Sequence, residues 1–355
     1  MPPRAPLLTR AECTALKGLA IVGIALHNYL HVQRGYLQEN EYTFVAERWA
    51  AALRYFSHPT AQVVQQAFSF AGHYGVAIFL FLTGYGLVQK YEQRGGAPLR
   101  RWSFIGQHYL KLLRLMAIPF VVAEVAYAWM HGSFTMNAGE AVAQLLMCHT
   151  LLPSPNYYPG PFWYFALAMQ AYLLYALVLY RPGGTPAWRS NLVMGLLVAA
   201  CYLYECSLTP DGKAMWMCHV NLVGNLPPLV AGIVCGRSHG VLSRRQGACV
   251  AIVALAAWGA MNSHVWLWLW LPLVSAALGV GLVKAIPALT CRAVTWTGQM
   301  SAWIFAVHAI ARLLLEPLNR HHATLGLVAF VALTLLLAMG YRRLAALLWS
   351  RRPAR

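Results

Sequence analysis

Ten apolar stretches constrain this chain more than any other feature it has. They cover about residues 15–32, 68–89, 105–129, 162–180, 191–204, 219–236, 248–262, 265–283, 299–317 and 323–341. A helix of roughly 20 apolar residues crosses the hydrocarbon of a bilayer, where the backbone must satisfy its own hydrogen bonds. The expected fold is therefore all-α: a polytopic membrane protein with about ten transmembrane helices in one bundle. The small share of charge agrees. Charged residues make up 10% and apolar ones 59%, where an ordinary soluble domain carries roughly 25% charged residues. Such a chain lacks the polar side chains to cover a large soluble core, and it is too apolar to be disordered. Short connections make residues 1–355 a single membrane-embedded domain.

The net charge of +17 does not point to nucleic acid, because no basic run is interleaved with base-stacking aromatics. The cations sit between the apolar stretches, where they set topology. With a cytoplasmic N-terminus, Arg34, Arg48, Arg54, Lys213, Arg312 and Arg320 fall outside, and the other 21 of the 27 Lys and Arg fall inside. That split predicts both termini in the cytoplasm. The first stretch ends in His27, Asn28 and His31 without a small-residue cleavage site, so it reads as a span and not as a removed leader.

Two outer segments look structured without crossing. Residues 41–56 place Phe44, Val45, Trp49, Leu53 and Phe56 at helical spacing, with Glu41, Glu47, Arg48 and Arg54 on a charged side. This predicts an amphipathic helix on the outer surface. Residues 138–151 follow an Asn137-x-x-Glu140 helix start and predict an interfacial or re-entrant helix. Pro227-Pro228 and Pro272 fall inside predicted spans, which they are expected to break. The eight cysteines show no CxxC pair. Cys206 and Cys218 flank the turn-prone Pro210-Asp211-Gly212 and are candidates for a disulfide if the outside is oxidising.

Polar side chains inside the spans are the functional candidates, since lipid penalises any polar group without a partner. The common alternative is a helix-to-helix hydrogen bond. On the first span Lys17, Asn28 and His31 share one stripe, and His27 lies about 80° away on its flank. On the ninth, Ser301, Phe305, His308 and Arg312 share a face, with Glu316 one turn on as a possible partner for Arg312. The second span carries His73 and ends in a glycine-rich run containing Tyr85. Lys111 and Arg114 stand one turn apart at the inner edge of the third. They read either as residues snorkelling to headgroups or as an anion site suited to nucleotide phosphates.

Histidine titrates nearest neutrality and can act as general base. An inner cationic site joined by a polar path to deeper histidines fits acyl transfer. No Walker loop, metal-ligand cluster or serine elbow competes, so no metal is expected. Transporters line their paths with the same residues, and that reading stays open.

Five blocks in order resemble the acyltransferase 3 family of bacterial membrane O-acyltransferases. They are Leu16-Lys17-Gly18-Leu19-Ala20 with His27, Gly75 to Tyr85, Lys111-Leu112-Leu113-Arg114 with Pro119, Trp163 to Leu174, and Gly298 to His308. Three departures stand out. His27 comes one position early for the family spacing after Lys17, where Asn28 now stands. Lys111 replaces an arginine. Ala168 and Met169 stand where many members carry acids, with Gln170 kept.

The resemblance implies a multi-pass protein of the bacterial inner membrane that uses acyl-CoA, acetyl-CoA above all, as co-substrate, with no permanently bound cofactor. The acceptor would be a hydroxyl of a cell-envelope or exported glycan. Lys17, Lys111 and Arg114 would hold donor phosphates. His27 or His31 would be the base, with His308 a further catalytic candidate. Asn28, His73, Tyr85, Trp163, Ser301 and Arg312 would line the pocket. The rival readings are a transporter or flippase for a glycan or lipid-linked sugar, and a non-catalytic partner in polysaccharide assembly.

Overall fold

Arg10–Leu30 forms the first helix, α1, because Thr9 and Glu12 cap its start. The Thr9 hydroxyl accepts from the Glu12 N–H, and the Glu12 carboxylate accepts from the Thr9 N–H at 2.7 Å. A computed structural model describes residues 6–93, 99–153, 155–183, 186–238, 240–319 and 323–349. Arg4, Arg94, Arg320, Arg351, Arg352 and Arg355 of the charge split lie outside the described residues. The chain continues through α2 (Ala46–Ser57), α3 (Val63–Ala71), a short turn of 3-10 helix (Gly72–Tyr74), α4 (Gly75–Tyr91), α5 (Arg101–His131), α6 (Ala138–Leu145) and α7 (Trp163–Leu174). Then come α8 (Ala187–Cys206), α9 (Lys213–His219), α10 (Leu226–Arg237), α11 (Arg244–Met261), α12 (Val265–Trp268), α13 (Leu271–Ala285), α14 (Arg292–Leu314), α15 (Glu316–Asn319) and α16 (Ala323–Trp349).

The protein is 78% helical and has no strand among the described residues. Among the described residues, five segments are long and apolar enough to cross a membrane: Arg10–Leu30, Val63–Tyr91, Arg101–His131, Gly160–Leu179 and Leu325–Trp349. Leu226–Arg237 and Leu271–Ala285 are shorter apolar helices. Helix occupies part of every apolar stretch read from the sequence, and the molecule is an all-α polytopic membrane protein. Val121, Val122, Val125 and Trp129 on α5 point outward, with Trp129 90% exposed. That suits a surface solvated by lipid.

Glycines let the inner helices touch. A Cβ on Gly298 of α14 would collide with the Thr14 carbonyl of α1, and one on Gly18 with the Val294 carbonyl. Gly232 of α10 lies in the same way against the Phe81 carbonyl of α4. Such close approach is how helices associate where no hydrophobic effect drives them together.

At the end of the bundle formed by the start of α1 and the end of α4, a buried clasp joins four helical segments. Glu92 and Arg237 are paired at 2.7 Å, and only 4% and 6% of their side chains are exposed. Arg237 also donates to the Ser190 hydroxyl at 2.7 Å and to the Leu179 carbonyl at 2.6 Å. Glu92 accepts from the Tyr175 hydroxyl at 3.1 Å.

Pro227, Pro228 and Pro272 occupy the first turns of α10 and α13, where a proline's missing N–H is harmless. They start helices, and the two apolar stretches are interrupted just before them, at 220–225 and 269–270, as expected. Other expectations are corrected. The amphipathic helix begins at Ala46, after Glu41, which lies in the preceding loop. Helix α6 keeps its Asn137–Glu140 cap but ends at Leu145. Met147 then adopts a left-handed backbone with φ 57°, so the segment to residue 151 is not one helix. Cys206 and Cys218 are both free thiols.

Candidate active site at the histidine end of the bundle

His27 and His31 are one helical turn apart, so their rings meet. His31 Nδ1 lies 2.8 Å from His27 Nε2. His27 Nδ1 lies 2.8 Å from the Ser69 carbonyl. A carbonyl can only accept, so Nδ1 carries the proton and Nε2 turns its lone pair toward His31. Glu41 Oε2 is 3.5 Å from His27 Nε2, and Glu39 Oε1 is 3.8 Å from His31 Nδ1. The His27 side chain is 1% exposed and that of Glu41 12%. Two glycines make this possible. A Cβ on Gly72 would meet the Gly23 carbonyl and, at 2.8 Å, the Cβ of His27. With glycine at both positions, α3 and the 3-10 turn reach α1, and Ser69 and His73 arrive beside His27.

The loop carrying the two glutamates is held from several directions. Gln66 accepts from the Leu37 N–H at 2.8 Å and donates to the Gly35 carbonyl at 2.9 Å. Arg48 donates to the Glu39 carbonyl at 2.9 Å, and the Trp268 indole to the Asn40 carbonyl at 2.8 Å. Burial holds the Glu39 carboxyl above its ordinary range, and nearby Glu41 adds to this, while His27 pulls the other way. The donor atoms of His27, His31, Glu39 and Glu41 lie within 4.8 Å of one another. No metal-ligand cluster is evident in the sequence, yet the fold assembles a set with metal-compatible chemistry.

Next to this cluster is a cavity of about 30 Å³ lined by Glu41, Tyr42, His73, Tyr74, Trp163, His219 and Asn225, among others. His73 is 7% exposed, and neither ring nitrogen has a hydrogen-bond partner among the described residues. Its ring is 5.2 Å from that of His27. Trp163 packs edge-on to Tyr42 at 5.6 Å. His219 lies 3.1 Å from Glu205 Oε1, too poorly aligned for a hydrogen bond, since both atoms lack one.

At the opposite, basic end, a cleft of about 790 Å³ opens between α5, α14 and α16. Lys111 and Arg114 line it together with Gln107, Trp303, Arg342 and Trp349. Lys17 and Lys90 are near enough for their charges to act on Lys111. Lys17 is exposed. It lies ten residues before His27 on α1, about 15 Å along the axis.

Other candidates sit elsewhere. Asn28 donates to the Ile24 carbonyl of its own helix at 2.9 Å, so the stripe of Lys17, Asn28 and His31 is no hydrogen-bonded path. The partner of His31 is His27, the residue expected on the flank. Arg312 donates to the Asn28 carbonyl at 2.7 Å, which ties α14 to the turn of α1 that bears His27. Glu316 lies 3.7 Å from His131. His308 is fully buried, and its Nδ1 faces the Phe305 carbonyl of its own helix at 2.9 Å. Ser301 is buried on the same helix. Tyr85 is far from the cluster: its hydroxyl accepts from the Leu8 N–H at 3.0 Å and clamps the chain before α1. Gln170 is used structurally, donating to Asn221 at 2.6 Å and accepting from the Leu222 N–H at 3.0 Å.

Glu39, Glu41 and Ser69 were missed at one end, and Trp303, Arg342 and Trp349 at the other. The His-x-x-x-His spacing was a signal for the first group, because it sets two rings on one helix face. Nothing local marked the glutamates.

No curated protein and no solved structure matches this sequence. A family model described as an acyltransferase domain, Acyl_transf_3, matches residues 11–343. That covers α1 through most of α16 and so includes both the histidine cluster and the basic cleft. The chain belongs to the acyltransferase 3 family of membrane acyltransferases.

Proposed function

We propose that this protein is an O-acyltransferase that moves an acyl group, acetyl in the first instance, from acyl-CoA to a glycan hydroxyl. His27 acts as general base. The observation that carries this is the His27 ring itself. It is buried, its Nδ1 is held by the Ser69 carbonyl, and its Nε2 is an acceptor that meets His31 Nδ1 at 2.8 Å, so a substrate hydroxyl reaches that lone pair by displacing the His31 ring. A base needs a fixed tautomer with its lone pair aimed at the proton to be removed.

In this reading the acceptor oxygen attacks the thioester carbonyl as its proton passes to His27 Nε2. The carbon–sulfur bond then breaks. The CoA thiolate leaves and takes the proton, and His27 returns to neutral. Glu41 stabilises the imidazolium between the two proton transfers. His31 and His73 are neighbours of the base, and Arg312 positions it through the Asn28 carbonyl. Lys111, Arg114 and Arg342 hold the donor phosphates at the basic end, with Lys17 at its margin. Trp303 and Trp349 offer faces for the adenine. The charge split supports placing the basic end and both termini in the cytoplasm of a bacterial inner membrane. Acyl-CoA is then a cytosolic co-substrate, and the acceptor is a cell-envelope or exported glycan.

The test is acyl transfer in proteoliposomes. Labelled acetyl-CoA is supplied with a glycan extract to wild type and to His27→Ala, His31→Ala and His308→Ala. Label should pass to glycan in the wild type and fall most in His27→Ala. Equal transfer in wild type and His27→Ala would remove His27 as the base. Movement of glycan without acyl-CoA consumption would favour a transporter.

A further inference from the structure

We propose that His27, His31, Glu39 and Glu41 form a binding site for one divalent cation of the zinc class. The inference that such an ion blocks turnover rests on the role given above to His27; the site itself rests on geometry alone. Zinc takes four nitrogen or oxygen ligands at about 2.0–2.2 Å in a tetrahedron. The edges of such a shell are about 3.3–3.5 Å long. Here His27 Nε2 and His31 Nδ1 are 2.8 Å apart. His27 Nε2 and Glu41 Oε2 are 3.5 Å apart, and His31 Nδ1 and Glu39 Oε1 are 3.8 Å apart. All the donor atoms fall within 4.8 Å of one another. Small side-chain rotations, with the His31 proton moved from Nδ1 to Nε2, convert this set into a tetrahedral shell.

Three further observations point to a cation. A metal-bound histidine usually donates its other ring N–H to a carbonyl or carboxylate, which fixes the tautomer; His27 Nδ1 faces the Ser69 carbonyl in that way, at 2.8 Å. Glu39 Oε2 is buried and has no hydrogen-bond partner among the described residues, a condition that calls for an ion or water. Finally, the two carboxyls, when ionised, carry the charge that one divalent ion neutralises. Their loop is anchored by Gln66, Arg48 and Trp268, so the ligands are held before any ion arrives.

The same Nε2 lone pair cannot bind a metal and accept a proton. An ion in this site therefore caps the base, and acyl transfer should be zinc-sensitive.

The test uses the full chain purified in detergent, stripped with chelator and then titrated with zinc. Bound metal is counted by mass spectrometry, and acyl-CoA turnover is measured on the same samples. We expect one zinc per chain, and at least tenfold weaker binding in His31→Ala and in the double variant Glu39→Gln/Glu41→Gln. Lys284→Ala, which breaks a pair with Glu12 at the other end of α1, should bind normally and controls for general damage. Cobalt in place of zinc should give the absorption of a four-coordinate site, lost in the same variants. Uptake below stoichiometry, or uptake unchanged in the double variant, overturns the site. Turnover by the stripped protein together with failed zinc uptake would leave the acyl-transfer reading standing and end this one. Stoichiometric zinc uptake by a protein whose stripped form shows no turnover would do the reverse. Zinc binding that leaves turnover unchanged would overturn the capping role.

Discussion

Glu92 and Arg237 at the basic end, and the histidines and glutamates at the other, are both buried clusters of ionisable groups. They are completed differently. Arg237 spends its donors on Glu92, Ser190 and the Leu179 carbonyl, and Glu92 takes a further bond from Tyr175. In the second cluster His73 lacks a partner on both nitrogens and Glu39 on one oxygen, among the described residues. A satisfied buried network joins helices rigidly, whereas an unsatisfied one leaves lone pairs and protons available for chemistry. The comparison sets a completed, structural cluster against an incomplete one, the cluster in which we place the proposed chemistry.

The sharpest way to break the comparison is at its two centres. His27→Ala should cut acyl transfer by about 10²–10⁴-fold, the usual loss of a general base. Its unfolding midpoint in detergent should stay close to wild type. Arg237→Ala should do the opposite in kind. It leaves Glu92 buried without its cation and should cost about 3–5 kcal/mol of stability, read as a large drop in the unfolding midpoint. If Arg237→Ala were as stable as wild type, completeness would be a poor guide to structural role.

Smaller effects refine the contrast. Arg342→Ala should raise the KM for acyl-CoA by roughly tenfold with little change in kcat, as expected for a phosphate contact kept from ground state to transition state. A fall in kcat without a change in KM would take Arg342 out of the donor site. The smallest effect is expected at Tyr85, whose phenol clamps Leu8. Tyr85→Phe should cost about 1 kcal/mol of stability and leave turnover at the wild-type level. A loss of turnover there would bring Tyr85 back into the pocket.

Much of the architecture could be read in the sequence because it depends on long local patterns. Spans α1, α5 and α16 are runs of apolar residues that a window detects directly. The apolar stretches holding the prolines of α10 and α13 ran past the starts of those helices, because a hydropathy window does not register where a helix begins. The site was legible only in part. His27, His31, Lys111 and Arg114 stand out as polar residues in apolar surroundings. Glu41 does not, because it sits among charged residues that look like one face of an amphipathic helix. Its approach to His27 depends on a loop pinned by Gln66 and Trp268, residues distant in sequence. Arg342 was hidden for a similar reason, since a basic residue ending a span is ordinarily a topology signal. Ala168 and Met169 of α7 stand where the resemblance led one to look for acids, and the acids beside the histidines come from the loop after α1.

The central claim is that His27 removes the acceptor's proton, and chemical rescue tests it most directly. CoA release by purified His27→Ala would be followed with and without added imidazole, in the presence of glycan acceptor. The account predicts a near-inactive variant that regains measurable turnover with imidazole, while Lys111→Ala gains nothing. Wild-type turnover in His27→Ala without any imidazole would contradict it.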